Sequence, residues 1–229
     1  MDAAEAEKLV AARKVWHHSF EVFPGVVTPG VYDPTEMIQR LRLPSRLDGV
    51  RVLEVGPADG AYTLDLHRRG ADLTVIDYRP KDGPASCAFA VTEKITGINF
   101  NFHQCNIYDL SRNRFGEFDH VLFLGVLYHL PDMVRALRIL HEVCAGTLYL
   151  ESHFEPQLSP GVPVARYYPG DSLNGDISNF WGPNRECLVA MCEDAGFLVV
   201  RLEMWGSRIF VECSRKDTGW KHQIAYGLL

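Results

Sequence analysis

The sequence predicts an α/β chain, a mostly parallel sheet covered by helices and closed by an antiparallel pair of strands. Three observations carry this. From residue 50 onward, short apolar runs at 50–55, 73–76, 121–124 and 148–150 alternate with helical segments at 62–69, 85–95 and 133–143. A glycine-bearing turn, 56–60, leads from the first run into the first of those helices. Finally, the runs 197–204 and 207–213 flank a turn at Gly206 that is too short for a parallel crossover.

The elements follow in order. Residues 1–20 read as helical up to the cluster Trp16, His17 and His18, and the Pro- and Gly-punctuated stretch 22–31 reads as a loop. Asp33 is the expected N-cap of the next helix, with Pro34 in its first position and Glu36 in its first turn; this helix ends before Pro44. The run 98–102 alternates as a half-buried strand would. Residues 154–183 are rich in Pro, Gly, Asn and Tyr, and a connection of that length inside a compact domain is expected to be a lid. Asn184 caps a helix running to Gly196. The expected organisation is an N-terminal cap, 1–47, on a domain, 48–229, that carries the 154–183 insertion.

Composition narrows the class of protein. The 229 residues are 47% hydrophobic and 23% charged, ordinary for a globular chain, and the net charge of −6 supplies no global basic field for nucleic acid. No apolar stretch reaches the length of a membrane span, and residues 1–15 lack a signal-peptide core. Six cysteines without a C-x-x-C pair read as reduced core residues, so a cytoplasmic location and no metal site are expected.

The turn Glu54-Val55-Gly56-Pro57-Ala58-Asp59-Gly60 selects the ligand. Its glycines let the backbone approach a bound molecule closely, but their spacing is not the G-x-G-x-x-G that seats a pyrophosphate. Asp59 inside the turn and Glu54 at the strand end favour a cation, and the ammonium and sulfonium of S-adenosylmethionine fit. Asp77, with Tyr78 beside it, ends the second strand about twenty residues further on, where a carboxylate can accept ribose hydroxyls. Residues 104–109 follow the third strand, where the side chain of Asn106 or Asp109 can receive an adenine amino group.

These motifs make the chain similar to class I S-adenosylmethionine-dependent methyltransferases, and within them to the tRNA wobble-uridine carboxymethyltransferases. The narrower likeness rests on the 56–60 loop, on Arg68-Arg69-Gly70-Ala71, and above all on the stretch 118–132 that contains Leu124, Tyr128 and His129; residues 28–33 resemble the segment that precedes the first strand in many members. The resemblance implies a Rossmann-like seven-stranded sheet with its last strand antiparallel. It also implies cofactor contacts at Glu54, Gly56, Gly60, Asp77, Asn106, Ile107 and Leu124. Ala58 stands where the family's loop usually has its middle glycine, so Ala58 and Asp59 complete the candidate cofactor set.

Methyl transfer needs an aligned acceptor and, for a hydroxyl or amine, a group that takes its proton. His129, after the fourth strand, is a candidate base, or else a residue that only secures the strand–helix turn. Tyr128 can orient an acceptor, and His153, near the end of the fifth strand, is the alternative base. Trp16, His17 and Tyr32 of the cap and Tyr167, Tyr168 and Trp181 of the insertion either close over an acceptor or pack their segments down; Trp16 is expected to pack, and the three aromatics of the insertion to line the pocket. The leading expectation is methyl transfer from S-adenosylmethionine, leaving S-adenosylhomocysteine, to a hydroxyl of a small molecule in specialised metabolism. The alternatives are tRNA wobble-uridine modification and an inactive cofactor-binding partner subunit.

Overall fold

The computed structural model of the chain describes residues 1–82 and 88–216, in two compact units, Met1–Asn106 and Ile107–Leu229. In the first unit, α1 (Ala3–Ala12) opens on a capping box in which Asp2 and Glu5 each accept the other's amide hydrogen. The helix expected over 1–20 stops at Ala12. Beyond it, the His17 and His18 amides donate to the Asp59 carboxylate instead of to carbonyls one turn back. The stretch expected as a loop holds a short antiparallel pair, β1 (Glu21–Phe23) and β2 (Val26–Val27), turned at Gly25 with φ 77°. Ala6, Val10, Trp16, Val22 and Val26 are buried together with Ala88 and Ile95, so an apolar cluster holds the N-terminal segment down.

α2 (Thr35–Leu41) has Pro34 as its N-cap, one residue later than expected, and Asp33 accepts the Thr35 amide at 2.8 Å. Then come β3 (Arg51–Val55), α3 (Ala61–Arg68), β4 (Asp72–Asp77), α4 (Phe89–Thr96) and β5 (Phe102–Gln104), with β4 paired in parallel to β3 and β5. The expected start of the fourth helix at 85–87, with Cys87, lies outside the described residues. The strand expected at 98–102 begins only at Phe102. Ahead of it, the Ile98 amide donates to Thr96 Oγ1 and the Phe100 amide to Glu93 Oε1, so side chains take the bonds a ladder would have used.

The second unit contains α5 (Arg112–Phe115), β6 (Phe118–Leu124), α6 (Met133–Val143), β7 (Cys144–His153), β8 (Ala165–Tyr167), β9 (Trp181–Pro183), α7 (Arg185–Asp194), β10 (Phe197–Trp205) and β11 (Arg208–Arg215). Asp132 caps α6 by accepting the Arg135 amide at 2.9 Å, and Met133, Ala136, Leu137, Leu140 and Val143 bury the stripe that a 3.6-residue period produces. Asn184 caps α7 as expected, accepting the Cys187 amide at 2.9 Å. The 154–183 insertion is not one loop, because β8 and β9 pair antiparallel within it. β10 and β11 form the expected hairpin around Gly206.

The large sheet has seven strands in the order β10-β11-β7-β6-β3-β4-β5. β6 and β7 are parallel, whereas β11 runs antiparallel to both β7 and β10, so the last strand alone is reversed. This is the flanked, Rossmann-like sheet the sequence predicts. The tail 217–229 of the expected main domain lies outside the described residues. Among the described residues, no helix is long and apolar enough to cross a membrane, and no group of three His, Cys, Asp or Glu is placed to hold a metal. The five described cysteines are free thiols.

Candidate active site

In the first unit the turn after β3 passes through three left-handed residues, Gly56 (φ 75°), Ala58 (φ 53°) and Gly60 (φ 87°). The Gly56 amide donates to the Ile76 carbonyl at 2.9 Å, which ties the turn to β4. A Cβ on Gly60 would stand 3.2 Å from the Phe89 ring, so both conformation and packing require glycine there. The backbone thus adopts the close-approach geometry expected of it, with Ala58 in a conformation that costs an L-residue about 1 kcal/mol.

The charges of the turn are arranged differently from the sequence expectation. Asp59 is 0% exposed. Its Oδ2 accepts the His17 and His18 amides at 2.8 and 2.7 Å, and its Oδ1 lies 2.6 Å from His18 Nδ1. The negative charge expected to face a ligand is therefore committed to the N-terminal segment. Glu54 is also buried and accepts the Thr63 hydroxyl at 2.5 Å. Burial raises its carboxyl to about 8, opposed in part by the Thr63 bond and reinforced by Asp59. It is therefore predominantly uncharged at neutral pH, not the second anion anticipated.

Asp77, nearly buried, accepts the Arg79 amide at 2.9 Å and pairs with its guanidinium at 3.3 Å. A carboxylate offers about four lone-pair directions, so capacity for a ribose hydroxyl is left. Asp77 lines a hollow with Pro57, Ala58, Arg79, Phe89 and Phe102. The residues present therefore suit S-adenosylmethionine: two glycines and a left-handed alanine for close approach, and an acceptor at the strand end. Tyr78 is exposed, with the Arg79 guanidinium over its ring. Asn106, also exposed, closes the unit.

The N-terminal aromatics divide. Trp16 is buried in the apolar cluster and donates from Nε1 to the Val10 carbonyl, so it packs the segment and presents no surface to an acceptor. The His17 and Tyr32 rings lie together with centroids 4.7 Å apart, and both residues are exposed. The same segment is held further by Thr28, whose hydroxyl donates to the His18 carbonyl.

In the second unit Ile107 is buried in a 3-10 turn and Leu124 ends β6. Tyr128 and His129 lie on the short 3-10 turn that follows, rings 4.1 Å apart. The insertion is seated on this turn: the Phe180 amide donates to the Tyr128 carbonyl and Trp181 Nε1 to the Pro131 carbonyl. His129 Nδ1 lies 3.1 Å from the Ser178 carbonyl and 3.0 Å from its hydroxyl, and Asp176 accepts that hydroxyl at 2.6 Å. The exposed Tyr167 ring meets Trp181 edge-on at 5.0 Å.

Tyr168 departs from the expected lining role. It is buried, and its hydroxyl bridges His153 Nε2 (3.0 Å) and the Glu155 carboxylate. Burial pushes the His153 imidazole below its ordinary range, with Glu155 opposing and Arg208 assisting. Sealed in and hydrogen-bonded through Nε2, His153 is the less suited of the two candidate bases. Glu151 is locked to Arg208, whose guanidinium lies over the Tyr128 ring. Ser178, Asp176, Glu155, Arg208 and Arg79 are partners without a place in the sequence-based expectations, and His18, noted there only as part of an aromatic cluster, is the partner of Asp59. Only the Asp176-x-Ser178 spacing, typical of a side chain turning back onto its own backbone, carried a local signal.

Residues 31–202, more than half of the chain, match the family described as a methyltransferase domain. The magnesium-protoporphyrin O-methyltransferase of Rhodobacter capsulatus is 30% identical over 107 residues, 46% of each chain. A ubiquinone biosynthesis O-methyltransferase of Pseudomonas aeruginosa is 30% identical over 109 residues, 46% of this chain and 45% of its own. The matches thus cover less than half the length of these curated relatives. Among solved structures, the N-terminal domain of EvdMO1, crystallised in the presence of SAH and D-fucose, superposes with a TM-score of 0.68 at 22% identity, covering 94% of this chain and 97% of that one. The Burkholderia thailandensis 1,6-didemethyltoxoflavin-N1-methyltransferase gives 0.59 at 19% identity, covering 80% and 77%.

Proposed function

Because this chain belongs to the methyltransferase-domain family and its cofactor is S-adenosylmethionine, we propose that it methylates a hydroxyl group of a small molecule. The observation that carries the choice is His129, an imidazole secured on the turn after β6 beside the Tyr167–Trp181 aromatic pair. Bound S-adenosylmethionine supplies an electrophilic methyl on a sulfonium. The chain's own part is to orient the acceptor and to remove its proton as the oxygen becomes a nucleophile. In this reading His129 takes that proton, Tyr128 orients the acceptor, and Tyr167 and Trp181 supply apolar surface. His17 and Tyr32 remain candidates for acceptor contacts on the N-terminal segment.

For the cofactor, Gly56, Ala58 and Gly60 provide close backbone approach and Asp77 accepts ribose hydroxyls, with Tyr78, Asn106, Ile107 and Leu124 as further candidate contacts. Glu54 and Asp59 act by shaping the turn. Residues 1–47 serve as a cap and 154–183 as a lid. The relatives named for O-methylation, and the EvdMO1 domain crystallised with a sugar, support a hydroxyl acceptor over a nitrogen one.

The test is incubation of the purified protein with methyl-labelled S-adenosylmethionine and, separately, metabolite extracts and total tRNA. Label is expected in base-stable methyl ethers of the extract; label confined to base-labile methyl esters would mean a carboxylate acceptor and no role for a base. Label found in tRNA alone would replace this reading with the tRNA one. Once an extract is labelled, His129→Gln is expected to reduce turnover about 100-fold or more, the usual contribution of a general base.

A further inference from the structure

We propose that Asp176 and Ser178 of the insertion are positioning residues that hold His129 as its Nδ1-protonated tautomer, making Nε2 the nitrogen that receives a proton. The proposal rests on the reading of His129 as the base. The direction of each hydrogen bond fixes the tautomer. Nδ1 lies 3.1 Å from the Ser178 carbonyl oxygen, and a carbonyl can only accept, so Nδ1 must carry the hydrogen. The Ser178 hydroxyl, 3.0 Å from Nδ1, agrees: its own hydrogen goes to Asp176 Oδ1 at 2.6 Å, which turns its lone pairs toward the imidazole. Asp176 is fixed in turn by the Ser178 amide at 2.8 Å.

The result is a short relay, carboxylate to hydroxyl to imidazole, contributed entirely by two residues of the insertion. A neutral imidazole with hydrogen on Nδ1 has its basic lone pair on Nε2, on the opposite edge of the ring from Ser178. When the acceptor's O–H bond breaks, its proton ends on Nε2 and its electron pair stays on oxygen. The imidazolium charge then leans through Nδ1–H on Ser178, and Asp176 balances it.

The surroundings support an ionised Asp176. The two Ser178 bonds, and the nearby His129, hold its carboxyl below the ordinary carboxylate range against a small burial effect. Tyr128, tilted against His129 at 4.1 Å, carries the Arg208 guanidinium over its ring, His153 lies 6.1 Å from that ring, and Asp132, three residues after His129, accepts the Arg135 amide at the start of α6. Arg208 is compensated by Glu151, so Asp176 is the anion directed at this imidazole.

The measurement needs no acceptor. Long-range proton–nitrogen correlation spectra of the full chain labelled at histidine nitrogens report tautomer and titration together, with His129→Gln used to assign the signal. The wild type is expected to show Nδ1–H in the neutral form, the reverse of the tautomer free histidine favours. Asp176→Asn keeps an oxygen for the Ser178 hydroxyl but removes the charge, and is expected to lower the His129 midpoint by about 0.5–1 pH unit. Ser178→Ala keeps the backbone carbonyl on Nδ1 but loses the hydroxyl that links it to Asp176, and is expected to lower the midpoint as Asp176→Asn does and to admit a minor share of the Nε2–H tautomer; Ser178→Thr is expected to restore the wild-type spectrum. An Nε2–H tautomer in the wild type would overturn the proposal, as would a wild-type tautomer and midpoint in both Asp176→Asn and Ser178→Ala. Failure of His129 as the base shows elsewhere, as undiminished methyl transfer by His129→Gln.

Discussion

Ala58 and Glu54 show how much the cofactor turn depends on single residues. Ala58 holds φ at 53°, where glycine is normally found, so Ala58→Gly removes the strain of a left-handed L-residue and adds backbone entropy to the unfolded chain. Strain is the larger of the two effects, and a gain of about 0.5–1 kcal/mol is expected, read as a rise in Tm of a few degrees. Glu54 sets a pH dependence. Its carboxyl titrates at the ordinary 4.5 in the unfolded chain and at about 8 in the folded one. Below the lower value both states are protonated and folding pays no penalty. Between the two, the unfolded chain releases a proton that the folded chain retains, so stability falls as pH rises and levels off above the upper value. Glu54→Gln should flatten that decline, a difference reaching about 4 kcal/mol at pH 8.5. Urea unfolding at pH 5, 7 and 8.5 checks it; parallel curves for the two proteins would refute it. The sequence displayed both residues, but not their states. Burial and the Thr63 partner, which turn Glu54 from an anion into an acid, come from packing.

Asp59 illustrates what lies beyond local pattern at the level of elements. As a residue in a glycine turn it reads as a charge aimed at a ligand, yet it accepts three hydrogen bonds from a segment some forty positions earlier in the chain. The helix ends at Ala12, with Arg13 extended, and those bonds hold residues 17 and 18 out of a helical path. Asp59→Ala leaves the His17 and His18 amides and the His18 ring without their buried partner. The expected cost is about 3–5 kcal/mol, because three donors lose one buried acceptor together at about 1–3 kcal/mol each. Amide hydrogen exchange should rise most in residues 13–32, whereas uniform acceleration throughout the chain would argue against a local anchor. Helices with complete local instructions were legible: α6, with Asp132 and its apolar stripe, has the predicted bounds, and α7 starts at its Asn184 cap. The start of β5 was not, because Thr96 and Glu93 side chains take the bonds that the alternating pattern assigned to a strand.

For the molecule as a whole, the net charge of −6 bears on which acceptor class it serves. Polynucleotide affinity comes largely from displacing counterions with lysine and arginine, and this chain has 23 of those against 29 acidic residues. Binding to total tRNA, measured by gel shift at 50 and 150 mM salt, is expected to be weak at the lower concentration and lost at the higher. Retention of tight binding at 150 mM would favour the tRNA reading over a small molecule. The sheet itself was readable at this scale, since alternating segments and a two-strand ending at Gly206 leave few topologies. The reversed β11 is the direct outcome of that short turn.

By itself the sequence determined the class of fold, the glycine turn with its acidic residue one strand later, and hence the cofactor. Each of these depends on spacing along a contiguous stretch, where backbone conformation and hydrophobic period act locally. Only the tertiary structure decided which of those charges face outward. It turned Asp59 to the N-terminal segment, buried Glu54 into its neutral form, sealed His153 and Tyr168 around Glu155, and seated Ser178 against His129. Ser178 meets His129 because the Phe180 amide and the Trp181 indole dock the insertion there; for the other three, which are buried, the physical reason is shared. A polar side chain taken out of water must find a partner, and that partner can stand anywhere in the chain.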